Sequence, residues 1–216
     1  MKKTILFDLD GTMIDTEVVV TTCVQYALRH VGIEEPNLEN LRIFIGPPLF
    51  SQFQLIYGLT PEQAEIAVEK YRERYKKGGI QESKLYPHVE ETLHNLKEKG
   101  YKIALASSKT EPACIQLLEH FQIAHYFDVI GGGREDRKIN TKILVLQDVM
   151  GRLNQKDPKE LVLVGDTKYD VEGAKEAGID CIAVAYGFGT PEELQAAGAT
   201  CICDSLEEVE LYIDGL

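Results

Sequence analysis

Two aspartates separated by one leucine close the first apolar run of the chain, in Thr4-Ile5-Leu6-Phe7-Asp8-Leu9-Asp10-Gly11-Thr12. On a strand, residues two apart face the same side, so Asp8 and Asp10 converge while Leu9 points away. Like charges at the end of an apolar strand repel strongly unless cations stand between them. A later apolar run, residues 102–106, ends in Ser107-Ser108-Lys109, and Thr110-Glu111-Pro112 then opens a helix. Hydroxyls and amides at a strand-to-helix junction suit a phosphate oxygen. A third run, 161–164, ends in Gly165-Asp166-Thr167-Lys168-Tyr169-Asp170, with two carboxylates four apart at a helix start. Each stretch has an ordinary structural use, as a turn, an N-cap or an acidic first turn. Three strand ends presenting carboxylates or hydroxyls on one edge are together the equipment for holding cations and phosphate oxygens.

The elements that must position these groups are legible from residue 85 onward. An amphipathic helix, a glycine and a short apolar strand recur: 89–99, Gly100 and 102–106; 171–177, Gly178 and 181–184; 192–197, Gly198 and 200–203. Each glycine stands where a helix needs a left-handed cap. The strands are continuously apolar, as expected when helices cover both faces. With 4–7 and 161–164 they predict an α/β fold with a doubly wound parallel sheet. Residues 16–84 break the rhythm and read as helices over about 17–31, 48–57 and 61–76, with Thr60 as N-cap and Pro61 at the first helical position. Lys76-Lys77-Gly78-Gly79 reads as a flexible exit. An insert after the first strand would lie at the carboxyl edge of the sheet, where such folds bind ligands. The expected division is a Rossmann-like core, 1–15 and 85–216, with an all-helical domain at 16–84.

Composition excludes several classes of function. Thirty-five acidic against 23 basic residues give a net charge of −12, which repels nucleic-acid phosphates and anionic lipid. No apolar run reaches the roughly 18 residues of a bilayer span, and Asp8 ends the N-terminal apolar stretch too early for a secretory leader. Five cysteines without CxxC spacing fit reduced thiols in a cytosol, so the expected location is cytoplasmic. The five histidines show no metal spacing. Tyr71 and Tyr75, four apart, are expected to be core.

The stretch from Phe7 to Thr12, the Ser107-Ser108-Lys109 strand end and the stretch from Gly165 to Asp170 resemble, in order, the motifs of the haloacid dehalogenase superfamily of phosphotransferases. The resemblance runs nearly end to end. The helical insert, with Gly46-Pro47-Pro48-Leu49 and the late Tyr186-Gly187-Phe188-Gly189, is similar to the phosphoglycolate-phosphatase-like branch and its helical cap. Two departures from the pattern the resemblance leads one to expect stand out: Arg134-Glu135-Asp136-Arg137 is more charged than expected, and Met13 sits where leucine is common.

The resemblance implies a Mg²⁺-dependent phosphatase acting on a small phosphate monoester, phosphoglycolate or a nucleoside 5′-monophosphate among the candidates, with a sugar phosphate nearly as good. Asp8 would be the nucleophile and form an aspartyl-phosphate, with Asp10 as general acid and base. Gly11, Thr12, Ser107 and Ser108 would bind the phosphoryl group. Asp8, Asp10 (through its carbonyl), Asp166 and Asp170 would form the Mg²⁺ site. A lysine is also implied; Lys142, which starts the apolar helix 143–150, is preferred, with Lys138 as the alternative. Gly46 and Pro47 are candidates for touching substrate. A phosphomutase shares the same motifs, and a non-catalytic phospho-dependent switch shares the carboxylates, lysine and metal. The chain is expected to be a monomer or homodimer, with no nucleic-acid or membrane partner.

Overall fold

A computed structural model describes residues 2–215 except Glu135, Arg137 and Lys156. Two residues of the unusually charged stretch, Glu135 and Arg137, therefore lie outside the described residues. In chain order the first elements are β1 (Thr4–Phe7), β2 (Ile14–Asp15), α1 (Glu17–His30), α2 (Leu49–Tyr57), α3 (Pro61–Arg74), α4 (Ile80–Glu82) and β3 (Lys84–Leu85). Then come α5 (Val89–Glu98), β4 (Lys102–Thr110), α6 (Glu111–His120), β5 (Val129–Gly133), α7 (Lys142–Arg152) and β6 (Leu161–Gly165). The chain closes with α8 (Lys168–Ala177), β7 (Asp180–Val184), α9 (Pro191–Ala197), β8 (Cys201–Cys203) and α10 (Leu206–Asp214).

The chain divides into two compact units, one running to Ile14 and resuming at Leu85, the other spanning Asp15–Lys84. In the first, six strands form one sheet in the order β5-β4-β1-β6-β7-β8, and every pairing is parallel. β1 lies inside, and Ile5, Leu6 and Phe7 are buried. One layer of the core joins Leu6, Ala104 and Leu163 of the sheet to Val145, Leu146 and Val149 of α7 and Val171 and Ala174 of α8. Phe7 pairs with Leu105 on one side and Val164 on the other, so the residues that follow these three in β1, β4 and β6 emerge side by side, although β4 itself runs on to Thr110. That register delivers Asp8, Ser107 and Asp166 to a common edge. Gly100, Gly178 and Gly198 take φ of 84°, 73° and 97° after their helices, the left-handed caps expected from their spacing.

β5 is a strand beyond those expected from the apolar runs, because Gly131-Gly132-Gly133 has no side chains to show a period. The reason is crowding. A Cβ on Gly131 would stand 2.1 Å from Val149 Cγ2, one on Gly132 2.6 Å from the Glu111 backbone, and one on Gly133 2.8 Å from the Ser108 carbonyl.

The second unit is helical. Val20, Val24, Ala27 and Leu28 of α1 are buried, as are Ala64, Ala67 and Val68 of α3. Phe44 and Phe53 meet with ring centroids 4.9 Å apart. Thr60 and Gln63 form a reciprocal cap, backbone N–H to side-chain oxygen in both directions at 3.3 and 3.0 Å. Tyr71 and Tyr75 are buried and stacked at 6.1 Å. Residues 76–79 are not a flexible exit: Tyr75–Gly79 form a wide helical turn that runs into α4. Among the described residues, no helix is long and apolar enough to cross a membrane.

Candidate active site

The site is assembled in the first unit by three strand ends and the first turn of α7. β1 continues into Asp8, whose amide donates to the Val164 carbonyl at 2.9 Å. The chain then turns back on itself, with the amides of Met13 and Ile14 both donating to the Leu9 carbonyl at 3.0 Å. Gly11 sits in that turn at φ 85°. A Cβ there would fall 2.1 Å from Asp166 Oδ2, so close approach as well as backbone shape demands glycine.

Asp166, fully buried at the end of β6, is gripped from both sides. Its Oδ1 accepts from Thr12 Oγ1 at 3.0 Å and its Oδ2 from the Phe188 amide at 2.9 Å. The family resemblance gives the Thr12 hydroxyl to phosphate; in the structure it donates to Asp166. Asp170, in the first turn of α8, accepts through Oδ2 from the Thr167 amide at 3.0 Å and the Thr167 hydroxyl at 2.7 Å.

Lys142 bridges Asp8 and Asp170. It is buried, with its ammonium 2.6 Å from Asp8 Oδ1, 2.6 Å from Asp170 Oδ1 and 2.8 Å from the Ala106 carbonyl. Gly173 of α8 leaves room for its stem, since a Cβ there would stand 2.6 Å from Lys142 Cγ. Lys138 is not part of this cluster; its side chain is 80% exposed and faces Asp136 at 3.6 Å. Ser107 is buried, and its Oγ accepts from the Lys109 amide at 3.3 Å. Ser108 is partly buried beside it. Gly46 and Pro47 belong to the helical unit, Gly46 with φ 100°.

Two contacts have no counterpart in the sequence pattern. Lys109 Nζ donates to both oxygens of Asp10, at 3.0 and 3.1 Å. The motif alone surrounds Asp10 with negative neighbours; the structure gives it a cation. Tyr186 donates from its hydroxyl to the Thr12 carbonyl at 2.7 Å and meets Tyr86 in a tilted ring pair with centroids 4.8 Å apart, bracing the turn after Asp10. The charge of Lys109 is visible in the sequence, but its direction depends on a strand end that only the fold sets.

Burial dominates the electrostatics. It raises the Asp8 carboxyl to about 7, against the pull of Lys142 and with a push from Asp170. Asp166 is also raised well above the ordinary carboxylate range, by burial and then by Asp170 and Asp8. Burial alone would lower Lys142, yet Asp170 and Asp8 outweigh it and hold the ammonium above its usual value. Three buried carboxylates around one ammonium leave uncompensated negative charge. One oxygen each from Asp8, Asp166 and Asp170 lies within 4.8 Å of the others. Clustered hard oxygens with excess negative charge fit a divalent cation such as Mg²⁺.

A family model described as "Haloacid dehalogenase-like hydrolase" matches residues 5–184. The chain belongs to the haloacid dehalogenase-like hydrolase family. It is 35% identical over 210 residues to a 5'-nucleotidase of Pseudomonas aeruginosa, covering 97% of this chain and 95% of that protein. A phosphoglycolate phosphatase of Aquifex aeolicus is 31% identical over 189 residues, 86% of each chain. Among solved structures, a predicted phosphatase from Clostridium acetobutylicum superimposes with a TM-score of 0.96 at 38% identity over the whole of both chains.

Proposed function

We propose that this hydrolase is a Mg²⁺-dependent phosphatase that cleaves a small phosphate monoester through an aspartyl-phosphate on Asp8. The observation that carries the reading is the placement of Asp8, an oxygen-only nucleophile, against Lys142 and beside two further buried carboxylates. The relatives named above support a nucleoside 5′-monophosphate or phosphoglycolate as substrate class.

In the first half of the reaction an Asp8 oxygen attacks phosphorus, the bond to the leaving oxygen breaks, and Asp10 supplies the proton that makes it an alcohol. In the second half water attacks phosphorus, its proton passes to Asp10, and the bond to Asp8 breaks to release inorganic phosphate. Lys142 balances the Asp8 charge and fixes the carboxylate for attack, while Ser107 and the amides at the end of β4 offer donors to the phosphoryl oxygens. Mg²⁺, held by Asp8 and Asp166 with the Asp10 carbonyl and with Asp170 in support, would neutralise the charge that otherwise keeps an anionic nucleophile from an anionic ester. The helical unit is the cap that selects among esters, with Gly46 and Pro47 as candidate substrate contacts. The site requires a soluble ester as partner, and the acidic surface disfavours nucleic acid and membrane.

Phosphate release from phosphoglycolate, nucleoside 5′-monophosphates, sugar phosphates and an aryl phosphate, each with Mg²⁺ and with chelator, tests the reading. Metal-dependent turnover of one physiological ester well above the others is expected. No release from any ester would overturn it in favour of a mutase or a phospho-dependent switch.

A further inference from the structure

The mechanism above gives Lys109 no role, although the chain holds this residue firmly. Its amide donates to Ser107 Oγ at 3.3 Å, and its carbonyl accepts from the Cys114 thiol at 3.5 Å, so the backbone is tied on both sides. Its ammonium reaches both Asp10 oxygens, at 3.0 and 3.1 Å. The two side chains are only 11% and 12% exposed. Exposed ion pairs wander among geometries; this one is enclosed and held at two points. An ammonium shared between two carboxylate oxygens uses one lone pair on each and leaves another on each for a further donor. A carboxylate so held has a fixed direction and can still accept a proton.

We propose that Lys109 is a positioning residue for the second half of the reaction, holding Asp10 as the oriented acceptor of the attacking water's proton. The inference rests on the phosphatase reading. In that half the water oxygen bonds to phosphorus, the acyl-phosphate bond breaks with its electron pair returning to Asp8, and one water proton moves to Asp10. The first half depends less on this orientation when the leaving group departs without a proton, as an aryl oxide does. Loss of Lys109 therefore falls on dephosphorylation.

The test is rapid-quench kinetics of the full chain with an aryl phosphate and Mg²⁺, comparing the native protein, Lys109→Met and Lys109→Arg. Lys109→Met is expected to release a burst of aryl alcohol, accumulate phosphorylated Asp8 and then turn over about ten- to a hundredfold more slowly. Lys109→Arg, which can also donate to both oxygens, should recover most of the turnover. Should Lys109→Met not fold, Lys109→Gln carries the same comparison. Native turnover in the methionine variant overturns the proposal. So does an equal slowing of burst and turnover without phosphoenzyme, the mark of a merely structural role. If the native protein forms no phosphoenzyme with any ester, the phosphatase reading falls and this inference with it; phosphoenzyme in the native protein without accumulation in the variant overturns Lys109 alone.

Discussion

Replacing Lys142 by methionine keeps most of the apolar stem, one atom shorter, and removes the charge from a site whose two carboxylate partners are buried. The ammonium stands 2.6 Å from an oxygen of Asp8 and 2.6 Å from one of Asp170, with side chains 5%, 9% and 1% exposed in the order Lys142, Asp8, Asp170. At an effective dielectric of about 20, each contact carries roughly 6 kcal/mol of gross attraction. Most of that is offset by desolvation already spent, and removing one partner of a buried pair costs about 3–5 kcal/mol. For a domain of this size that lowers the melting temperature by about 6–20 °C. Proton uptake is the escape route. Asp8 already sits raised at about 7 against an ordinary 3.8, so the metal-free fold loses stability as pH rises between those values. Without Lys142 its affinity for a proton rises further, so the variant's penalty should be larger at pH 8 than at pH 6. Thermal melts in chelator at both pH values provide the assay, and added Mg²⁺ should restore part of the loss. A drop under about 2 °C in chelator, or one independent of pH, would refute the account of this cluster.

Other expectations follow from close contacts. Gly187→Ala would place a Cβ 2.3 Å from Asp166 Cβ and 2.5 Å from its Oδ2, so Mg²⁺ should no longer raise the melting temperature although the fold persists in circular dichroism. Gly131→Ala puts a methyl 2.1 Å from Val149 Cγ2; a loss of about 1–3 kcal/mol is expected in denaturant melts, largely recovered by adding Val149→Ala. His88 holds a left-handed φ of 64° at the start of α5 while its ring contacts Glu91 and Glu207, each at 3.0 Å. Its raised proton affinity, due first to Glu91 and then to Glu207, makes those pairs stabilising in acid and lost as pH rises through its folded value. His88→Gly should therefore compare better with the native protein at pH 9 than at pH 5, and the reverse order in thermal melts would contradict it.

Much of this is legible in the residues. The apolar strands at 4–7, 102–106 and 161–164, each ending in a charge or hydroxyl, suffice to locate the site, because a parallel sheet forces such ends to one edge. The capping glycines and Thr60-Pro61 announce themselves through local backbone chemistry. What stays hidden depends on distant neighbours. β5 is glycine-rich because Val149, Glu111 and Ser108 crowd it, which no local pattern reveals. Lys142 and Lys138 are equivalent by type, and only the packing of α7 against β4 and α8 turns one inward. The Lys109–Asp10 pair joins residues 99 apart, and Thr12 serves Asp166 because Gly11 and Gly187 let that carboxylate approach.

The central claim, covalent catalysis by Asp8, is tested most directly by trapping. The protein is mixed with Mg²⁺ and its best ester, quenched in acid, reduced with borohydride and digested, and position 8 is read by peptide mass spectrometry; Asp10→Asn should raise the yield by slowing dephosphorylation. Reduction of the acyl phosphate to homoserine at position 8, absent in Asp8→Asn, is the predicted result. Steady phosphate release with position 8 unmodified, or release undiminished in Asp8→Asn, would contradict it.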